Sequence, residues 1–391
     1  MIIYTNKLDT SFNRNDILAY HKLDQRIIVL YETESPIPKA LEPFATFIHL
    51  KPLGNRLSPL FLVKNIGRFI GFFMSLDYRD FLKVITQNGT LEVLINYQNA
   101  LHKIQSLSKA DLKAIEGEDL LVSFWFYDLH VPILLKKQGL IQRLISRSHR
   151  GDTYEGEIGV RNLFLRRFHL NAVDKLHPIS LNAENFLKEL YPAFSSKIQC
   201  MYLGSYRYFA EYTLKRESTK KTFVSCSWIN NKKNVHIIPE ILSNMDFDFH
   251  WYHFGSGPDE WQQKLMSAID TNGLAEHFTF MGNTKNEDIQ QFYSANYVDA
   301  LISVSSTEGV PVSFMEAMSY GIPVYATNVG GNSEIVNEQN GQLFPLSYGA
   351  DEASKELLKL LGKNLDRRNI ISFWEKNFDI LNNNSRLLSA S

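Results

Sequence analysis

The sequence predicts an α/β protein of two doubly wound domains in tandem, and three observations carry that prediction. The chain has 391 residues, more than twice the ~150 expected of a single core. Short β-rich apolar runs alternate with longer helical patterns along most of it, the rhythm of parallel strands joined by helical crossovers. The rhythm breaks after Gly204 and then restarts. A composition 44% hydrophobic, 13% aromatic and 21% charged, with 21 Gly and 13 Pro, excludes collagen-like, low-complexity and disordered classes.

In the first half the runs are IIYT at the N-terminus, IIVLY (27–31), LLVSFWF (120–126), LIQRLIS (140–146) and VDKLHPIS (173–180). Between the second and third lies PLFLVKNIGRFIGFFMSL, Pro59 to Leu76, interrupted by Lys64, Asn65 and Arg68. Its apolar runs fall far short of the ~18 to 20 residues that span a bilayer. With Phe61, Leu62, Ile66, Phe69, Ile70, Phe72 and Phe73 beside two cations it reads either as a helix packed on its own sheet or as one lying in a membrane interface. After Gly204, SYRYFAEYTLKRESTKK has no sustained period and reads as an interdomain linker, 205–221. The second half repeats the rhythm with TFVSCSW (222–228), FDFHWYHFG (247–255), FTFMG (278–282), DALISVS (299–305), IPVYAT (322–327) and GQLFP (341–345).

The formal charge is −1, but 25 cations stand against 20 acids before Gly204 and 16 against 22 after it. The mildly basic first half suits an anionic membrane surface or acidic substrate and is too dilute for a nucleic-acid groove, so no nucleic-acid partner is expected. Two cysteines, Cys200 and Cys226, make no disulfide framework, and the N-terminus lacks a signal-peptide layout; the cytosol is the expected compartment.

Chemistry concentrates between Ser305 and Glu334, SSTEGVPVSFMEAMSYGIPVYATNVGGNSE. The strand DALISVS ends in a loop holding Glu308, Gly309 and Val310; Pro311 suits the first position of a helix continuing as VSFMEAMSY. The free N–H groups of Val312 and Ser313 at its positive end would suit a diphosphate. Glu308 and Glu316, eight residues apart, are acceptors suited to paired sugar hydroxyls. Asp246 and Asp248 have the spacing of a metal-bound sugar-nucleotide site, but they precede a strand, the wrong end for a ligand, so no metal is expected. His250 and His253, without clustered partners, read as strand and core residues.

The glutamate, short glycine loop and second glutamate, followed by EAMSYGIPVYAT, NVGGNSEIV and GQLF, resemble the signature of the retaining GT-B glycosyltransferases of family 4. Upstream, FHWYHFGSGP, HFTFMGNTKNEDIQQFY and SWINNKKNV extend the resemblance, as do SFWFYDLHVPILLKK, RLISRSHRGDTYE, VDKLHPIS and KIQCMYLGS in the first half. The resemblance implies two Rossmann-like domains facing across a cleft. These are an acceptor domain at 1–204, a nucleotide-sugar domain at 222–365, and a helical segment at 366–391 returning to the first.

It implies metal-independent retaining transfer of a hexosyl group, without a cofactor, from a UDP- or GDP-sugar to a glycan or lipid-linked acceptor in surface polysaccharide synthesis. The enzyme would be cytoplasmic, and at the inner face of the membrane if residues 59–76 take the interfacial reading. By the same resemblance Glu316 holds the ribose, Glu308 the donor sugar, Lys233 the diphosphate, and Gly309, Val310 and the following helix start form the phosphate loop. His149 approaches the donor sugar, flanked by Arg147 and Asp152.

Three departures stand out. Trp228 occupies the family's usual arginine position, for which Lys232 or Arg207 is a candidate substitute. The first strand runs into NKLDTSFNRND instead of a glycine loop. GSGP (255–258) breaks the dinucleotide fingerprint, resembles the family's own turn and is assigned a structural role. The Trp228 departure sustains an alternative, a weak or inactive homologue acting as a partner or glycan-binding subunit.

Overall fold

The computed structural model describes residues 1–5, 8, 11–33, 36–154 and 163–390. Residues 6, 7, 9 and 10 of the stretch after the first strand, and Glu155 at the end of RLISRSHRGDTYE, lie outside the described residues. The chain divides into two compact units, Met1–Met201 with Asn384–Ser391, and Tyr202–Asn383.

The first unit holds one parallel sheet of β1 (Ile2–Thr5), β2 (Ile28–Tyr31), β3 (Thr46–His49), β4 (Leu120–Ser123), β5 (Arg143–Ser148) and β6 (Lys175–Pro178), in the order β3-β2-β1-β4-β5-β6. The second holds β7 (Lys221–Cys226), β8 (Phe249–Phe254), β9 (Phe278–Gly282), β10 (Ala300–Ser303), β11 (Val324–Thr327) and β12 (Gly341–Phe344), in the order β12-β11-β10-β7-β8-β9. Each apolar run of the sequence contains one of these strands. The exception is β3, a half-exposed edge strand whose four residues give a weak signal. Central strands such as β2, β4 and β11 are buried along their whole length, as parallel strands covered on both faces must be. Both sheets are doubly wound, and their strand order reverses between β1 and β4 and between β7 and β10. At those two places the loops leaving the carboxyl ends diverge, and a crevice for ligand forms.

The stretch from Ser205 to Thr213 lies on the second unit. Tyr208 N–H donates to Gln290 Oε1 at 3.1 Å, Thr213 N–H donates to the Ser294 carbonyl at 3.0 Å, and Phe209 and Tyr212 pack on its core. Its aromatic content makes burial more favourable than solvation, which a free linker would need. At the C-terminus, Trp374 sits in the second unit's core while Leu387 joins the first unit's.

Pro59 to Leu76 forms two helices, Pro59–Lys64 and Ile66–Met74, joined at Asn65. Phe69 and Phe72 are buried, each ring against Tyr97 at 5.2 and 4.0 Å. Leu60, Val63, Ile66, Ile70 and Met74 are exposed, Met74 by 82%. The segment therefore presents apolar residues both to its own core and to the outside. Among the described residues no helix is long and apolar enough to cross a membrane.

Candidate active site

In the second unit, the loop after β7 and the loop after β10 leave neighbouring strands at the point where strand order reverses. Asn230 Oδ1 accepts the backbone N–H groups of Lys232 and Lys233 at 2.9 and 3.0 Å, and Asn234 completes the turn with φ 52°. Ser306 of the second loop donates its N–H and hydroxyl to the Lys232 carbonyl at 2.7 and 3.1 Å. With the backbones tied, Lys233 Nζ reaches Glu308 Oε1 at 2.5 Å, the lysine side chain 27% exposed and the glutamate 9%. The two residues, 75 positions apart, line one small cavity of about 10 Å³ with Ser313, room for roughly one water.

Glycines set both loops at close range. A Cβ on Gly330, where φ is +52°, would stand 1.9 Å from the Glu308 carbonyl oxygen, and one on Gly331 2.2 Å from that of Gly309. A Cβ on Gly255 of the GSGP turn would stand 1.9 Å from the Ser227 carbonyl oxygen, and one on Gly257 2.1 Å from that of Ile229, so these glycines let the turn pack on the loop that carries Lys233.

The helix expected from Pro311 runs from Val312 to Met318, with Pro311 as its N-cap at ψ 122°. The proline carbonyl accepts the Phe314 N–H at 3.2 Å, so the residue stands one place before the helix. Its missing N–H falls where no helical bond is made, and Val312 and Ser313 lead the first turn. The Val310 side chain is buried in the core, which leaves its backbone and Gly309 to face the loop.

Glu316, in the same helix, is 6% exposed and accepts Asn286 Nδ2 at 2.6 Å. Burial pushes its carboxyl up to about 7, and the Asn286 hydrogen bond opposes the rise. Cys226, near the same carboxylate, is pushed up to about 12 by burial and then by Glu316. Asn286 had no role in the sequence reading, although it stands inside the NEDIQQFY run; its signal was a polar residue on the buried side of a helix start.

His149, in the first unit, precedes the short helix Arg150–Thr153. Its Nε2 lies 3.0 Å from the Phe124 carbonyl, so Nε2 carries the proton and Nδ1 is the ring's acceptor. Burial, then the Arg147 charge, pushes its pKa down to about 3. Arg147 is committed to Asp16 at 2.8 Å and Asn384 Oδ1 at 2.7 Å. Asp152 accepts the N–H groups of Phe126 and His149 at 2.6 and 2.5 Å. Both hold the scaffold around the histidine.

Arg207 does not replace the missing arginine. It bonds the Ser319 carbonyl at 3.2 Å and Glu375 at 3.4 Å and lies over the Trp374 ring. Trp228 is half-exposed and Lys232 exposed. Asp248 stands before β8, 3.6 Å from Lys220 and 3.9 Å from His277. His253 is a buried core residue whose Nδ1 bonds Ser225 Oγ at 2.8 Å, and His250 Nε2 bonds Thr279 Oγ1 at 2.8 Å.

Residues 212–376, which include Lys233, Glu308 and Glu316, match the family model described as glycosyl transferases group 1. WcaL of Escherichia coli K12, named for colanic acid biosynthesis glycosyltransferase activity, is 28% identical over 145 residues, 35% of either chain. The 2-deoxystreptamine glucosyltransferase of Streptomyces kanamyceticus is 30% identical over 125 residues, 32% of this chain and 30% of that one. The matches thus span about a third of the length of these curated relatives.

Among solved structures, the lipopolysaccharide outer core galactosyltransferase WaaB superposes over 100% of this chain and 99% of its own, with TM-score 0.69 and 14% identity. Anabaena HepE in complex with UDP covers 100% and 98%, with TM-score 0.67 and 14% identity. The chain thus has the GT-B glycosyltransferase fold, and over residues 212–376 it carries the sequence pattern of the group 1 glycosyl transferases.

Proposed function

We propose that the protein is a retaining glycosyltransferase of family 4 that moves a hexosyl group from a UDP- or GDP-sugar to a glycan or lipid-linked acceptor in surface polysaccharide synthesis. The observation that carries this reading is the meeting of Lys233 and Glu308 at 2.5 Å, where the second sheet reverses its strand order and within the matched family region. UDP and UDP-glucose complexes of HepE, a structural neighbour, favour a uridine donor.

In this reading Lys233 and the first turn after Pro311 stabilise charge on the departing diphosphate. Glu316 holds the ribose and Glu308 the donor sugar, with His149 in the sugar-contacting role the resemblance implies. The bond from the anomeric carbon to the diphosphate breaks, and its electron pair stays on the phosphate oxygen. The acceptor oxygen bonds the anomeric carbon on the same face, and its proton passes to that phosphate oxygen. No step draws on a metal. Incubation with UDP- and GDP-hexoses tests this, with nucleotide release and the anomeric configuration of the product as readouts. No binding of either nucleotide would overturn it.

The exposed apolar residues of 59–76, with Lys64 and Arg68 in the same segment, support a peripheral site on an anionic membrane at the cytoplasmic face. Trp228 favours the second reading, a partner or glycan-binding subunit. If wild type transfers no sugar and Trp228→Arg tightens nucleotide binding, that reading replaces the first.

A further inference from the structure

A continuous line of hydrogen bonds joins Glu316 to the stretch of chain that opens the second unit. Gln290, on the helix Asn286–Ala295, is fully buried. Its amide offers two acceptor and two donor positions, and all of them are used. Oε1 accepts the Tyr208 N–H at 3.1 Å and the Tyr320 hydroxyl at 2.9 Å. Nε2 donates to the Tyr206 carbonyl at 2.9 Å and to Asn286 Oδ1, one turn earlier on the same helix, at 3.1 Å. Asn286 Nδ2 in turn donates to Glu316 Oε1 at 2.6 Å.

Only one direction is open to this line. An amide's oxygen and nitrogen are told apart by their partners, and two of Gln290's partners are backbone groups whose roles are fixed. The Tyr208 N–H can only donate, and the Tyr206 carbonyl can only accept. The Tyr320 oxygen accepts the Phe209 N–H at 3.3 Å, which leaves its own proton for Gln290. Turning the Gln290 amide over would set donor against donor and oxygen against oxygen at a buried position, where an unmet polar group is costly. Gln290 therefore shows an N–H to Asn286, and Asn286, its oxygen occupied, shows an N–H to Glu316. The carboxylate is held by one oxygen. The other, Oε2, meets no donor among the described residues and is not sealed from solvent.

We infer that Asn286 and Gln290 are positioning residues for the donor nucleotide: they hold Glu316 by Oε1 so that Oε2 stands ready to accept the ribose hydroxyls, with the register set by the backbone of Tyr206 and Tyr208. The inference rests on the proposed role of Glu316 as the ribose acceptor. Both residues act through that carboxylate, whose side chain is then ordered before the ligand arrives, so less freedom is lost on binding.

Calorimetric binding of UDP and of GDP to the full chain, each compared with its dideoxy form that lacks both ribose hydroxyls, tests this at pH 8, above the value of about 7 at which the Glu316 carboxyl titrates. Wild type should bind at least one nucleotide about tenfold or more tighter than its dideoxy form, because the hydroxyls meet a charged acceptor. Asn286→Ala should cut that ratio to about threefold or less and leave the dideoxy affinity where it was; a merely structural role would weaken both ligands alike. Gln290→Glu keeps an acceptor toward Tyr208 and Tyr320 but offers no donor to Asn286, and it should cut the ratio in the same way without touching Glu316. If it does not fold, Asn286→Ala carries the test. Tyr320→Phe should leave the ratio within about twofold, since the two backbone groups still fix Gln290. An unchanged ratio in folded Asn286→Ala, or both affinities falling together, overturns the relay. Glu316→Ala separates the two proposals. A wild-type preference that Glu316→Ala erases and Asn286→Ala spares defeats the relay alone. A wild type that binds nucleotide with no preference for the ribose hydroxyls defeats the role of Glu316 and the relay with it, and no nucleotide binding at all defeats the transferase reading itself.

Discussion

The two units share one strand order and hold their candidate sites in opposite states. In the second, the loops after β7 and β10 are cross-bonded, glycines seat them against their neighbours, and Lys233 closes on Glu308 over a cavity of about 10 Å³. In the first, a cavity of about 560 Å³ stands open, lined by Glu32 paired with Lys103 and by Asp128 beside His130. One fold can therefore offer a shut site and a roomy one, because the sheet fixes only where loops diverge, and the loops fix the chemistry.

The strongest way to break this comparison is Lys233→Ala. If the second unit's cation carries the leaving group, the variant should raise the transfer barrier by roughly 2.7 to 4 kcal/mol, read as kcat, while Lys232→Ala does little. Equal effects would place the wrong lysine in the site.

Next comes the buried carboxyl. Glu316 titrates at about 7 in the folded protein against 4.5 when unperturbed. Its contribution to stability is complete below about 4.5 and is lost as pH rises through about 7, because the folded chain holds a proton that the unfolded chain has released. Glu316→Gln removes that loss. The variant should therefore gain roughly 1 to 3 kcal/mol on wild type between pH 5 and pH 8.5, seen as a widening difference in Tm. It should also bind nucleotide more weakly, since the ribose loses a charged acceptor. A constant Tm difference across that range would show that the carboxyl is solvated.

Gly330→Ala sharpens the claim that the second site is built to close tolerance. The added Cβ meets the Glu308 carbonyl oxygen, so donor affinity should fall by about tenfold or more with the fold retained, a cost of roughly 1 to 2 kcal/mol. Gly362→Ala, at the end of the helix Ala350–Gly362, adds a Cβ that meets nothing within 4 Å; it is the control and should be tolerated.

The smallest effect belongs to the surface of the first unit. Ile70→Ser with Met74→Ser should leave stability within about 0.5 kcal/mol and reduce salt-sensitive binding to anionic vesicles. Phe69→Ser should instead destabilise the fold, since Phe69 is 3% exposed. Undiminished vesicle binding by the double variant would remove the membrane contact.

The same contrast decides how much could be read beforehand. Glu308, Glu316 and Lys233 stand out in the sequence as candidates because each sits in a short local pattern after a strand. Asn286 and Gly330 were quoted within such patterns but carry meaning only through partners 30 and 22 positions away. Arg207 reads in the sequence only as a candidate substitute beside Lys232, because its commitment to Glu375 and Trp374 reaches 168 positions along the chain, nearly the length of the second unit. The cavity in the first unit left no local trace, since Glu32, Lys103, Asp128 and His169 come from four separate elements. Pro59 to Leu76 resisted a single reading because its apolar residues face two ways.

The closed pair of Lys233 and Glu308 behaves as a two-input gate for the proposed donor. A ligand that separates them must offer an anion to the lysine and hydroxyl donors to the glutamate, because satisfying one alone strands the other charge in a mostly buried place. Inorganic phosphate meets only the first condition and a free sugar only the second. A molecule in which diphosphate and sugar are joined meets both at once, so the resting ion pair favours the intact donor over inorganic phosphate and over free sugar.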